Sequence, residues 1–135
     1  MLSAVKGVVL AAQGNPEKAL ELASVMELHK HRFGPQTDFS IQITEILINA
    51  ERYDAALGII DRAIARAQHH NFLLEMPDML RAKGEALIFA KRSDMSAAEN
   101  CLRQSLDLAR RQAALGFELR TGVSLRQALV AARPP

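Results

Sequence analysis

The sequence predicts an all-α protein in which antiparallel helix pairs stack side by side. Apolar residues make up 49% of the 135-residue chain but aromatic residues only 4%, with no Trp, a composition typical of helices packed on helices. Gly (7) and Pro (5) are too few for an all-β fold with many tight turns. No segment alternates strictly between apolar and polar residues. One segment instead shows clear helical periodicity, with apolar residues every three or four positions: Ala56, Leu57, Ile60, Ala63, Ile64 and Ala67.

The first two predicted helices are bounded by a glycine and a capped proline. The first covers about Leu2–Gln13 and ends at Gly14, a residue that tolerates a left-handed cap. Asn15 is the expected N-cap of the second helix, with Pro16 at its first position, where a missing N–H costs nothing. This helix continues to about Arg32, before the break at Phe33-Gly34-Pro35.

The third and fourth helices form the second pair. The third covers about Thr37–Ala50, with Thr37 as its expected cap, and the fourth about Tyr53–His70. The connection Asn71–Pro77 follows, and we expect three apolar residues to anchor it to the core: Phe72, Leu73 and Leu74.

The remaining helices complete a third pair and close the stack. The fifth covers about Asp78–Lys91 and ends at a polar turn. Ser96 and Glu99 have capping-box spacing, so the sixth helix starts near Ser96 and runs to about Ala114. The closing helix covers about 116–132, which gives one domain over residues 1–132 and a tail over 133–135.

Small residues recur at similar intervals in the predicted pairs. A small residue in the first helix of a pair precedes an alanine in the second by twelve to fourteen positions, and the pattern repeats every 37 to 40 residues. Antiparallel helices approach closely only where side chains are small, so these positions are the expected helix-packing sites. They are Gly7, Ala19, Thr44, Ala56, Ala63, Gly84, Ala98 and Ser105, with Thr121 in the closing helix.

Two turns resemble those of a known repeat family. Residues 14–20 (GNPEKAL) and 51–57 (ERYDAAL) look like the turn between the helices of a tetratricopeptide repeat, although no Trp marks the first helices. Residues 80–87 and 97–112 are similar to the C-terminal helical repeats of bacterial signalling ATPases, adenylate-cyclase-like proteins and winged-helix transcriptional regulators. The resemblance implies a tetratricopeptide-like α–α superhelix of about three pairs and a closing helix, serving as a sensing or docking arm. The chain has no GxxxxGK[ST] motif, so ATP binding is not implied.

The expected function is therefore protein–protein interaction or regulatory coupling, without catalysis. The chain would be the C-terminal piece of a signalling or transcription-regulating ATPase-type protein, and its partner a protein, a peptide or a neighbouring domain. In such a stack the first helices line a groove, in which charged and apolar side chains would alternate. The expected groove residues are Ile41, Glu45, Ile48, Asn49, Arg81, Glu85, Phe89 and Glu118, of which Ile48 and Phe89 are alternatively core residues between repeats.

An uneven charge distribution supports one alternative function. The chain carries a net charge of +2, but residues 101–135 contain six Arg against two acidic residues. An Arg-rich surface can bind phosphates, so the alternative is a nucleic-acid-associated regulator that uses the C-terminal helices. We expect these Arg to lie on solvated helix faces instead, which makes a nucleic acid partner the less favoured reading.

The sequence offers no strong catalytic or metal-binding pattern. Cys101 is the only cysteine and has no predicted activating partner, so we expect a small buried hydrophobic residue rather than a nucleophile, and a reducing, cytoplasmic location. The His29/His31 and His69/His70 pairs lack the three- or four-residue spacing that places two ligands on one helix face. No two carboxylates are forced together. We therefore expect no cofactor and no metal.

The two ends of the stack are expected to differ. No apolar run is long enough for a membrane span, so we expect no membrane association. The first helix is nevertheless apolar nearly all round, which predicts either a longer array or a homodimer through this face. The C-terminal end is expected to be a natural stop, with Arg120, Arg126 and Arg133 facing water.

Overall fold

The structure is a computed structural model that describes residues 15–28, 39–71, 73–90, 95–113 and 115–131. Six α-helices occupy most of these residues, and no strand occurs among them. The prediction of an all-α chain is confirmed for this part. The predicted first helix Leu2–Gln13, Gly7 and the tail lie outside it. The helices are α1 (Pro16–Leu28), α2 (Ser40–Asn49), α3 (Tyr53–His69), α4 (Met76–Ala90), α5 (Met95–Arg111) and α6 (Leu115–Ala131).

Each helix packs against the next helix in the chain, and alternate helices also touch. Helix α2 contacts α4, and α4 contacts α6. Helix α4 is therefore the central element, because it packs against α2, α3, α5 and α6. The burial pattern agrees with this central position. Buried residues of α4 occur all around the helix, whereas α3 and α5 each bury a single stripe of residues.

The core consists of three apolar clusters that follow one another along the stack. The first joins α1, α2 and α3, and includes Leu22, Leu47 and Ile59. The second lies between α3 and α4, where Ile60 meets Met79. The third joins α5 to α6 around Leu102 and Leu125. Burial is thus distributed between neighbouring helices, as expected when each helix pair covers the next.

The small residues of the repeat pattern lie at the closest helix contacts. At Gly84, an added Cβ would lie 2.8 Å from two carbon atoms of the Leu102 side chain on α5 and 3.3 Å from the carbonyl oxygen of Ala98. A glycine is required where α4 and α5 approach this closely. The other described members of the pattern are also buried: Ala19, Thr44, Ala56, Ala63, Ala98, Ser105 and Thr121.

Two of these small residues also form a buried hydrogen-bonded chain. The Ser105 hydroxyl donates to the carbonyl oxygen of Pro77, and the Ser105 and Thr121 hydroxyl oxygens are 2.7 Å apart. Because Ser105 has one proton and gives it to Pro77, Thr121 must donate to Ser105. These two hydrogen bonds connect α6 to α5 and α5 to α4, so positions 105 and 121 need a hydroxyl as well as a small side chain.

The helix ends include one N-cap that the sequence predicts and three C-terminal turns with positive φ that it does not predict. Lys18 donates its backbone N–H to the Asn15 side-chain oxygen at 3.3 Å, which confirms Asn15 as the N-cap of α1. Helices α2, α3 and α5 are each followed by a non-glycine residue with positive φ: Glu51, Asn71 and Ala113. After α2, the Glu51 and Arg52 N–H groups donate to Ile48 and Leu47, the paired bonds of a Schellman ending.

Three local predictions are wrong. Leu73 and Leu74 are exposed and do not anchor the α3–α4 connection. Helix α5 begins at Met95, next to the predicted start near Ser96, but the predicted capping box is absent from the described contacts: Ser96 lies inside the first turn, and Glu99 accepts a hydrogen bond from Arg103. Helix α4 begins at Met76, two residues before the predicted start, because a proline such as Pro77 fits within a first helical turn. Thr37 and Phe72 lie outside the described residues.

The C-terminal end is not the polar stop that the sequence suggests. Arg120 and Arg126 are exposed, as expected, but so are four large apolar side chains of the same helix: Leu119, Val123, Leu129 and Val130. Helix α6 buries the side that carries Thr121, Leu125 and Ala128 and leaves an apolar side uncovered.

The contact at Gly84 gives a direct stability test. Replacing Gly84 by Val should lower the free energy of unfolding by about 2 kcal/mol or more, because Leu102 is fully buried and cannot move away. The matched control is Gly122→Val in α6, where an added Cβ meets nothing within 4 Å. That control should change stability by less than about 1 kcal/mol. Urea unfolding followed by circular dichroism measures both, and equal midpoints would contradict the close approach.

Candidate functional site

Two of the predicted groove residues, Glu45 and Glu85, lie around a third, the buried Arg81. The Arg81 guanidinium on α4 lies 2.7 Å from the Glu45 carboxylate on α2 and 3.0 Å from the Glu85 carboxylate on its own helix. It also donates to Asp78 at 2.7 Å. The Arg81 side chain is only 6% exposed, so its charge is balanced by three carboxylates rather than by water.

The protonation of Arg81 is fixed by these contacts. Burial alone would lower its pKa, but the hydrogen bonds to Asp78 and Glu45 outweigh burial, and the net effect is to raise the pKa of Arg81 above its usual value. Arg81 therefore stays charged at every pH at which the protein is studied. Its five donors hold carboxylates from two helices in fixed positions.

Helix α6 extends the network to a third helix. Arg120 lies 3.3 Å from the Asp78 carboxylate, and the Ser124 hydroxyl donates to Glu85 at 2.8 Å. Sequence reasoning missed Asp78, Arg120 and Ser124. Asp78 and Glu85 lie three residues before and four residues after Arg81 on α4, a spacing that predicts ion pairs within one helix. The contacts from α6 depend on tertiary packing and have no such local pattern.

The register of these contacts shows that α2 and α4 run in the same direction. Glu45 of α2 meets Arg81 of α4, and Tyr53, just beyond α2, stacks on Phe89 two turns further along α4, with ring centroids 6.4 Å apart. The same holds for α6, where Arg120 meets Asp78 and Ser124 meets Glu85. These helices thus form one surface, the alternate-helix face, made up of Glu45, Asn49, Asp78, Arg81, Glu85, Phe89, Arg120 and Ser124.

The alternate-helix face has a buried polar centre and an accessible rim. Glu45 and Glu85 are partly exposed, Asn49 is exposed, and the Phe89 ring is 52% exposed. The face carries one more carboxylate than guanidinium groups. Its exposed groups can therefore pair with cations and bury an apolar side chain against Phe89.

The other predicted groove residues lie elsewhere. Ile41 and Ile48 are buried in the apolar clusters around α2, so neither is offered to a partner. Glu118 pairs with Arg110 of α5 at 3.0 Å and takes no part in the Arg81 network. Arg81 itself is buried and acts by positioning the carboxylates around it.

A cleft lies between α1 and α3, away from the alternate-helix face. This cleft has a volume of about 460 Å³, and its walls include Ser24 of α1 and Arg62 of α3. Ser40, at the start of α2, accepts a hydrogen bond from Arg66 at 3.1 Å. Two of its polar side chains are thus engaged with each other.

The described residues show little that would support chemistry. Burial raises the pKa of the half-buried Cys101 thiol, although Lys83 opposes this, so the thiol stays protonated at neutral pH. His69 and His70 are exposed and meet edge to face, with centroids 5.0 Å apart. No group of three or more potential metal ligands occurs among the residues described; His29 and His31 lie outside them.

Most of the C-terminal arginines are engaged in ion pairs. Arg103 pairs with Glu99, Arg110 with Glu118, and Arg111 with Asp107, and all three pairs lie at the surface. Arg120 pairs with Asp78. The positive charge of this region is therefore partly neutralised where it would have to meet phosphates.

Comparison of the chain with protein-family models, curated proteins and solved structures gives no match. Among the helices that the structure describes, none combines the length and the apolar character that a membrane crossing requires.

Removal of the Arg81 guanidinium should lower the free energy of unfolding. We expect Arg81→Met to lower the free energy of unfolding by about 3 kcal/mol, because it leaves the buried Asp78 carboxylate without its main partner. Arg103→Met removes the exposed pair with Glu99 and should cost no more than about 0.5 kcal/mol. Chemical denaturation of both variants beside the unmodified chain measures the difference. A loss from Arg81→Met no larger than that from Arg103→Met would show that the network does not hold the helices together.

Proposed function

We propose that this chain is a protein-interaction module that binds a peptide segment of a partner, or of a neighbouring domain, on its alternate-helix face. One observation carries the proposal: a buried Arg81 holds carboxylates of two helices in place beside an exposed aromatic ring. A face with fixed charges and an apolar anchor loses little freedom on binding, which favours recognition.

The charge of the face favours a particular kind of segment. With Glu45 and Glu85 at the rim, Lys or Arg side chains of the partner find carboxylates already oriented by Arg81. An apolar side chain of the partner covers Phe89. Affinity comes from the aromatic contact, and the carboxylates determine which register of the segment fits.

The helix arrangement is compatible with the tetratricopeptide-like resemblance. Alternate helices in contact along one face, with their partner helices on the other side, are the arrangement that such repeats imply. On this proposal the chain is a regulatory arm of the kind found in signalling and transcription-regulating proteins. Its role is to bring a partner to a larger assembly, without chemistry of its own.

Selection from a library of short random peptides tests the proposal. We expect the selected peptides to combine a basic residue with an aromatic or large aliphatic residue, and to bind the purified chain by fluorescence anisotropy. Glu45→Gln and Phe89→Ala should each weaken binding about tenfold, the effect of removing one central contact. Both side chains are substantially exposed, so folding should be preserved, and circular dichroism checks this.

Arg103→Met, which lies away from the face, is the matched control and should bind like the unmodified chain. Peptides that bind all variants equally would contradict the proposed site. The nucleic acid alternative makes a different prediction, since phosphate binding falls steeply with salt. Salt-sensitive retention on heparin, together with no peptide enrichment, would favour that alternative.

A further inference from the structure

The outer side of α6 carries an apolar seam that nothing in the described structure covers. Leu119, Val123 and Val130 are 62%, 59% and 56% exposed, although each is a large aliphatic side chain. With Arg126 they follow spacings of four, three and four residues, which align them on one side of the helix. We call Leu119, Val123, Arg126 and Val130 the α6 seam.

The spacing of the α6 seam fits another helix. Alternating steps of three and four residues are those of a coiled-coil interface, in which side chains of one helix enter gaps on the other. Helix α4 shows how a helix of this protein is covered on two opposite sides. Ala82 and Ala86 are buried in clusters with α2 and α3, and Gly84 on the opposite side packs on α5. Helix α6 has its inner contacts, but none of the other described helices lies on its outer side.

The charges around the seam determine what kind of helix fits. Arg126 occupies a seam position, and within the described part of the chain it has no carboxylate partner. The acidic residue nearest the seam on α6, Glu118, is already paired with Arg110. A covering helix must therefore bring its own carboxylate to Arg126, because a guanidinium enclosed by apolar side chains is costly without a partner.

A second copy of the same helix does not meet this need. In a parallel pair Arg126 would face the same arginine of the other copy, and in an antiparallel pair it would face Val123. Neither arrangement supplies a negative charge, and the first adds repulsion between like charges.

We propose that the α6 seam is a docking site for an amphipathic helix of another protein or domain, with an aliphatic stripe and an acidic residue that pairs with Arg126. The bound helix lies along the outer side of α6, as α5 lies along α4. This surface is separate from the alternate-helix face, so the two sites can be tested one at a time.

Two synthetic helical peptides of about five turns provide the probe. Both carry the same leucine stripe; one has glutamates opposite and beside the Arg126 position, and the other has lysines there. Fluorescence anisotropy should show the acidic peptide binding at least about tenfold more tightly than the basic one. Arg126→Glu should reverse this preference, because the reversed charge now repels the glutamates and attracts the lysines.

Val123→Ser tests the apolar part of the seam and should weaken the acidic peptide about tenfold. Leu74→Ser is the matched control, since Leu74 is equally exposed but lies in the α3–α4 connection. It should leave binding unchanged. Since all these positions are exposed, the variants should keep the helical circular dichroism spectrum of the unmodified chain.

Three results would overturn the proposal. Neither peptide binds; both bind equally, to the unmodified chain and to Arg126→Glu alike; or sedimentation shows a dimer that Val123→Ser dissociates. The last result would identify a second copy of the chain as the occupant of the seam.

Discussion

The structure depends on the packing of α4 against four other helices. Among the described helices α4 has the most neighbours, because it lies between α2 and α3 on one side and α5 and α6 on the other. One side admits α5 to within van der Waals contact because Gly84 has no side chain. Another side carries Arg81, whose charge must be balanced inside the protein. Helix α4 therefore needs a residue without a side chain at position 84, for close packing, and a long charged side chain at position 81, for the ion-pair network.

The Arg81 network positions side chains from three helices and, on the proposed function, also shapes the binding surface. A buried ion pair seldom adds much net stability, because removing charges from water costs nearly as much as their attraction returns. Its effect here is geometric: Glu45 from α2, Ser124 from α6 and Glu85 are all positioned relative to one guanidinium. On the proposed function, the partly exposed carboxylates are the groups that a partner would meet. The same residues that hold the helices together would then also take part in recognition.

The sequence predicts much of the fold because helix periodicity and small-residue spacing are local signals. It also indicates Glu45, Arg81 and Glu85, which the structure brings together. It does not reveal Arg120 and Ser124, since their contacts with α4 depend on how α6 is rotated. The turn residues Glu51 and Ala113 are missed for another reason: they adopt positive φ although such residues rarely do, whereas Asn71 is a residue type that tolerates it. The exposure of Leu73 and Leu74 shows that apolar character alone does not place a loop residue in the core.

Native-state hydrogen exchange tests the central role of α4 most directly. If α4 is held by its four neighbouring helices, its amides should exchange only when the whole protein unfolds, and should be the slowest among the described helices. Amides of α1, and those of α6 towards its ends, should exchange through smaller openings. Exchange in α4 as fast as in α1 would contradict the account, because it would show that the central helix opens without the rest of the fold.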